Sequence, residues 1–114
     1  MRDHRSLRAW QEAHVVSVGV IRVSRESWKP YAAAVFSQLQ RSMLSVELNI
    51  AEGYSFGNTP TFTRHLGIAY GSAVETVELL KLGMEAEVLP AHGSAFRSWS
   101  GERYPTILGG TRRR

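Results

Sequence analysis

The sequence predicts an all-α fold, an antiparallel up-down four-helix bundle whose fourth helix is short or broken. Three observations carry that expectation. The four prolines, at 30, 60, 90 and 105, leave stretches between them that are long enough for helices. Within those stretches apolar residues recur at three- and four-residue steps, the spacing of one helix face. Strand-type alternation of apolar and polar residues appears nowhere convincingly. With 114 residues, 43% hydrophobic and 21% charged, the chain has the balance of one globular domain spanning 1–114, in which 90–114 is an atypical C-terminal segment ending in a basic tail.

The first helix is expected to begin near Ser6, acting as N-cap, and to run to about Glu26. Leu7, Trp10, His14, Ser17/Val18 and Ile21 make its core face. A second helix is expected from about Tyr31 to Glu52, with Ala32, Phe36, Leu39, Met43, Val46 and Ile50 facing inward. Gly53 is expected to stop it by adopting the left-handed conformation that a side chain disfavours. Tyr54-Ser55-Phe56-Gly57-Asn58 is rich in turn formers, and Thr59-Pro60 then offers an N-cap followed by proline at the first helical position. The third helix runs from there to about Val88 on the most regular stripe in the chain: Phe62, Leu66, Ala69/Tyr70, Ala73, Val77, Leu80 and Met84. After Pro90, Gly93, Gly101, Pro105, Gly109 and Gly110 interrupt any pattern built on Phe96, Trp99, Tyr104, Ile107 and Leu108.

Further apolar residues fall away from these faces. Ala9, Val16, Val20 and Val23 lie nearly opposite the Leu7/Trp10/Ile21 face, and Leu44, Leu48 and Ala51 lie well off the Phe36/Met43/Ile50 face. A helix in a monomeric bundle needs only one apolar stripe. The second one predicts association into a homo-oligomer through Val16, Val20, Val23, Leu44 and Leu48, the alternative being that helix ends and the C-terminal segment wrap over them.

Several chemistries lack their residues. Cysteine is absent, which removes disulfides, thiolate metal sites and a cysteine nucleophile. Carboxylate metal sites in helical bundles use Glu-x-x-His pairs, and no histidine here stands three residues after a glutamate. His4 and His92 fall in termini or loops, His14 reads as a hydrogen-bonded core histidine, and His65 as a boundary residue. The His-Glu-x-x-His pattern is missing, and Gly53-x-x-x-Gly57 is followed by Asn58-Thr59 rather than the Lys-Thr or Lys-Ser of a phosphate loop. Asp3 is the one aspartate. No enzyme, metal or cofactor is therefore expected. No apolar run approaches the ~18–20 residues that span a bilayer, and Met1-Arg2-Asp3-His4-Arg5 shows no secretory signal, so a soluble cytoplasmic protein without membrane contact is expected.

The formal net charge of +4 comes from 12 arginines and 2 lysines against 10 acids. Arginine is the side chain best shaped for forked contact with phosphate. The candidate nucleic-acid contacts are Arg5, Arg8 and Arg22 on the exposed stripe of the first helix, Arg25 and Lys29 at its end, Arg41, Arg64, and the tail Arg112, Arg113 and Arg114. Nothing in the sequence resembles a recognition helix or an aromatic stacking platform, so RNA or DNA would be bound with little sequence preference. An oligomeric scaffold for a protein partner, its basic surface merely solvated, is the rival reading.

Asn49-Ile50-Ala51-Glu52-Gly53 is the most specific short feature. Asn49 stands one helical step off the core face, where its amide can bond across to a neighbouring helix. Glu52, in the last turn, opposes the helix dipole and invites a cation; Arg41 is on the same side about three turns earlier. Gly67 and Gly71, four residues apart, would permit close approach of another helix, with Glu75 and Glu78 nearby for inter-helix ion pairs.

Leu7-x-x-Trp10-Gln11-x-Ala13-His14, Ser37-Gln38-Leu39-x-Arg41-Ser42, Asn49-Ile50-Ala51-Glu52-Gly53-Tyr54 and Phe62-x-x-x-Leu66-x-Ile68-Ala69-x-Gly71-Ser72-x-x-Glu75 occur in that order. Together they resemble the bacterial four-helix-bundle family encoded in intervening sequences of 23S ribosomal RNA genes, related to the accessory variability determinant of diversity-generating retroelements. The resemblance covers about residues 6 to 90. It implies an antiparallel bundle assembling into a homopentameric ring with a basic surface, and in the retroelement branch a partnership with a reverse transcriptase and nucleic acid. It implies no catalytic residue and no cofactor, and gives Asn49, Glu52, Gly53, Gly71 and Glu75 a structural part. Where the family usually has Val-Ser-Ile-Pro before its Asn-Ile-Ala-Glu-Gly, this chain has Leu44-Ser45-Val46-Glu47-Leu48, so the usual mid-helix proline kink is not expected.

Overall fold

A computed structural model describes residues 3–90. Three long helices, α1 (Arg8–Ser27), α2 (Ala33–Tyr54) and α3 (Pro60–Glu85), pack antiparallel and up-down, with short 3-10 turns at His4–Ser6 and Pro30–Ala32. α2 is central: it packs on both α1 and α3, while no Cα of α1 comes within 8 Å of one in α3. The described residues thus hold three helices rather than the expected four, and the expectation of a short or broken fourth helix falls on 91–114, outside them.

The core faces of α2 and α3 follow their apolar stripes. Phe36, Leu39, Met43, Val46 and Ile50 are buried against Ala69, Ala73, Val77 and Leu80. Thr59 starts α3, its hydroxyl accepting from the Phe62 N–H at 3.3 Å, with Pro60 at the first helical position. α3 ends at Glu85, not Val88. Glu87 takes a positive φ of 59°, and the Val88 and Leu89 N–H groups turn back to the Gly83 carbonyl at 2.8 and 3.0 Å.

Three expectations are corrected. The first concerns α1, whose buried face is Trp10, Ala13, Val16/Ser17, Val20 and Val23/Ser24. Val16, Val20 and Val23 are only 2%, 0% and 7% exposed, so they belong to the core of a single chain and not to a second apolar face. Leu44 and Leu48 do stand out, at 40% and 56% exposed. α1 is apolar around more than half its circumference, and the contact with α2 selects the valine side, leaving Ile21 at the surface.

Gly53 is the second correction. It lies buried inside α2, which continues to Tyr54, and the positive φ belongs to Gly57 at 71°. A Cβ on Gly53 would stand 2.6 Å from the Cβ of His65, so this glycine permits close approach of α2 to α3. Gly67 and Gly71 show the reverse: an added Cβ meets nothing within 4 Å, so no helix of this chain uses them for close approach among the described residues.

The third is the start of α1. Its N-cap is Leu7, with no side-chain bond, while Ser6 Oγ donates to the Asp3 carbonyl at 2.9 Å and the Asp3 carboxylate accepts from the Arg5 N–H at 3.0 Å. Asp3 thus folds 4–6 into the 3-10 turn that precedes the helix.

Ser17 Oγ is buried without a hydrogen-bond partner. Removing an unsatisfied buried hydroxyl removes its desolvation penalty, so Ser17→Ala should raise stability by about 1 kcal/mol. Denaturant titration would check this; a loss of stability would show that the hydroxyl is satisfied in solution.

Candidate nucleic-acid interface

A polar seam joins α2 to α3 and fixes the frame on which surface charges are displayed. The Thr76 hydroxyl lies 2.8 Å from both Ser42 Oγ and the Ser72 carbonyl, and Ser72 Oγ donates to Ser45 Oγ at 2.7 Å. Asn49 Nδ2 donates to the Ser45 carbonyl at 2.8 Å, which leaves its oxygen, 2.9 Å from His65 Nδ1, to accept from that ring. His65 Nδ1 therefore carries the proton in this arrangement. Buried or half-buried polar groups that satisfy one another resist sliding, because any shift in register leaves several unpaired at once.

α1 is registered to α2 by a different bond. His14, expected in the core, is half exposed; its ring stacks on Trp10 at 4.7 Å between centroids, and its Nδ1 lies 2.8 Å from Glu47 Oε2. α2 is continuous through Glu47, whose carboxylate reaches across to α1.

With this register, topology divides the basic candidates between two ends. Arg5, Arg8 and Arg64 lie towards the end shared by the start of α1, the end of α2 and the start of α3. Arg22, Arg25 and Lys29 lie towards the opposite end, and the His14–Glu47 bond puts Arg41 within a turn of the level of Arg22. All seven are exposed. Arg5 stands on the 3-10 turn rather than on the stripe of α1, its guanidinium 5.3 Å from the centre of the Trp10 ring. Arg8 Nε bonds Glu12 Oε2 at 3.2 Å, an exposed pair worth about a few tenths of a kcal/mol. Arg22, Arg25, Lys29, Arg41 and Arg64 have no ion-pair partner among the described residues, and neither has Glu52. Arg112, Arg113 and Arg114 lie outside the described residues.

Exposed acids are spread over all three helices: Glu26 on α1 between Arg25 and Lys29, Glu52 on α2, and Glu75, Glu78 and Glu85 on the second half of α3. Glu75 and Glu78 make no inter-helix ion pair among the described residues. Sequence periodicity places each charge on its helix, but only the helix pairing shows which helices share a side.

Among the described residues no three His, Cys, Asp or Glu side chains gather as metal ligands, and no helix is long and apolar enough to cross a membrane. The chain belongs to the 23S rRNA-intervening sequence protein family, whose model matches residues 5–97, and membership makes it a non-enzymatic protein. A search of curated proteins finds no match to this chain.

Proposed function

We propose that the protein is a homo-oligomeric nucleic-acid-binding accessory protein that holds RNA or DNA through phosphate contacts on the α1/α2 side. The observation that carries this reading is the group Arg22, Arg25 and Lys29 at the end of α1, exposed and without ion-pair partners among the described residues, with the equally unpaired Arg41 near the level of Arg22 on α2. Phosphate contact of this kind gives affinity without sequence preference. Association, to a pentamer as the family resemblance implies, would repeat this basic group around a ring and multiply the contacts. Leu44 and Leu48, exposed on α2, are the residues proposed to make that association. In a retroelement setting, the same basic surface would carry nucleic acid to a reverse transcriptase.

The test is a binding titration at two salt concentrations with wild type, an Arg8→Glu/Arg22→Glu variant and a chain ending at Thr111. Arg8 and Arg22 sit about 21 Å apart along one rigid helix, at ~1.5 Å per residue, whereas tail arginines lose conformational entropy when they bind. The double variant should weaken binding more than the truncation, and the salt slope should fall by about one unit for each phosphate left without its arginine. Loss of binding on truncation alone would move the site to Arg112–Arg114. Absence of binding in all three would favour the protein-scaffold reading.

A further inference from the structure

We infer that the turn between α1 and α2 is a stacking site for single-stranded nucleic acid, with bases laid on Trp28 and Tyr31; this rests on the nucleic-acid reading above and names its substrate class. Sequence alone shows no sign of an aromatic platform. In the structure Trp28 is 50% exposed and Tyr31 80% exposed. Neither ring stacks on another or takes part in a hydrogen bond among the described residues. Two large aromatic rings left open on one short turn are a surface suited to flat, apolar faces.

The turn is held in shape. Trp28 and Lys29 are extended, with φ/ψ of −58°/134° and −135°/144°, and Pro30 begins a 3-10 turn closed by the Ala32 N–H on the Lys29 carbonyl at 3.0 Å. Ala32 is buried and anchors the far side. Proline fixes its own φ and keeps the residue before it extended, so both rings are presented at little ordering cost.

Charge around the rings selects the ligand. Arg25 and Lys29 flank them, exposed and without ion-pair partners among the described residues, with Arg22 one turn earlier on α1. Beside them opens a groove of about 500 Å³ whose lining includes Glu26, Lys29, Tyr31, Glu87 and Leu89. The carboxylates of Glu26 and Glu87 repel phosphate, so the backbone of a bound strand runs on the arginine side and its bases turn towards the rings and groove. Base faces in a duplex are occupied by their neighbours, whereas an unpaired strand can lay its bases on protein aromatics.

The test compares an oligothymidylate with a duplex of equal length, at two salt concentrations, for wild type, Trp28→Ala, Tyr31→Ala, the double variant and Trp28→Phe. Each alanine should lower single-strand affinity about tenfold, in the range measured for loss of one stacked base, with the salt slope unchanged because no cation is removed. Duplex affinity should not move, and Trp28→Phe should keep most of the single-strand affinity. Unchanged single-strand binding by the double variant would overturn the inference while leaving the phosphate-contact reading intact. Equal losses on duplex and single strand would overturn it too, as would a changed particle mass, which would assign the rings to a contact between copies. Wild type that binds neither nucleic acid would remove both readings together.

Discussion

Leu44→Glu/Leu48→Glu should convert the protein from an oligomer to a single chain of 12.7 kDa while leaving its thermal stability nearly unchanged. Both leucines lie on the outer side of α2, a turn apart, and the interior of one chain does not use them. Burying a fully exposed leucine contributes about 1.5–3 kcal/mol, so these two, 40% and 56% exposed, would each add roughly half of that, and the pair repeated at each interface can decide a marginal association. Glutamate in their place would bring uncompensated charge into the contact, whereas in a lone chain it would only add a solvated side chain to a helix that tolerates it. Light scattering at micromolar concentration reads the result. Wild type at the mass of one chain would remove the proposed assembly, and an oligomer surviving the double substitution would move its interface to another face. With Val16, Val20 and Val23 in the core, these two leucines carry the association proposal without them.

Gly53→Ala should destabilise the fold by about 1–3 kcal/mol, the usual penalty for overpacking a tight contact. Alanine is the better helix former, so propensity alone predicts a gain of roughly 0.5–1 kcal/mol, and the sign depends on which effect wins. The added Cβ would stand 2.6 Å from the His65 Cβ and 3.1 Å from Phe62 Cδ1. A β-carbon is fixed to its backbone and cannot swing aside, so α2 and α3 must separate, straining the bond between His65 and Asn49. Gly83 is a different case, since the nearest atom there is the Cδ1 of Leu89, at the end of a flexible side chain. Gly71→Ala provides the matched control: with nothing near its added Cβ, it should raise stability by roughly 0.5–1 kcal/mol. Denaturant midpoints for the two variants should therefore move in opposite directions. A stabilised Gly53→Ala would mean that the two helices do not approach as closely as the structure has them. A destabilised Gly71→Ala in an oligomeric sample would place a second copy against that side of α3.

Most of the helical frame was legible in the sequence. The stripes of α2 and α3, the Thr59-Pro60 start and the cross-helix bond of Asn49 all follow from spacing and local chemistry, which act within a few residues. The face of α1 did not follow. Periodicity fixes the angle between two side chains on a helix, but where apolar residues cover more than half the circumference it does not say which half turns inward. Trp10 and His14 drew the predicted face towards themselves; in the structure their stack sits at the rim, where His14 meets Glu47.

By itself, the sequence determined that the chain is all-α, where its long helices lie, that cysteine chemistry is closed to it, and that arginine dominates its charge. Those properties are local or additive, and no neighbour is needed to set them. The tertiary structure alone decided that the α1 valines are core, that Gly53 is a point of contact rather than a stop, and that Gly67 and Gly71 are open. It also decided that Arg41 stands near the level of Arg22, and that Trp28 and Tyr31 are left exposed beside Arg25 and Lys29. Each of these depends on which helices become neighbours and in what register. Packing and the polar seam select that arrangement among residues far apart in the chain, beyond the reach of a pattern read one helix at a time.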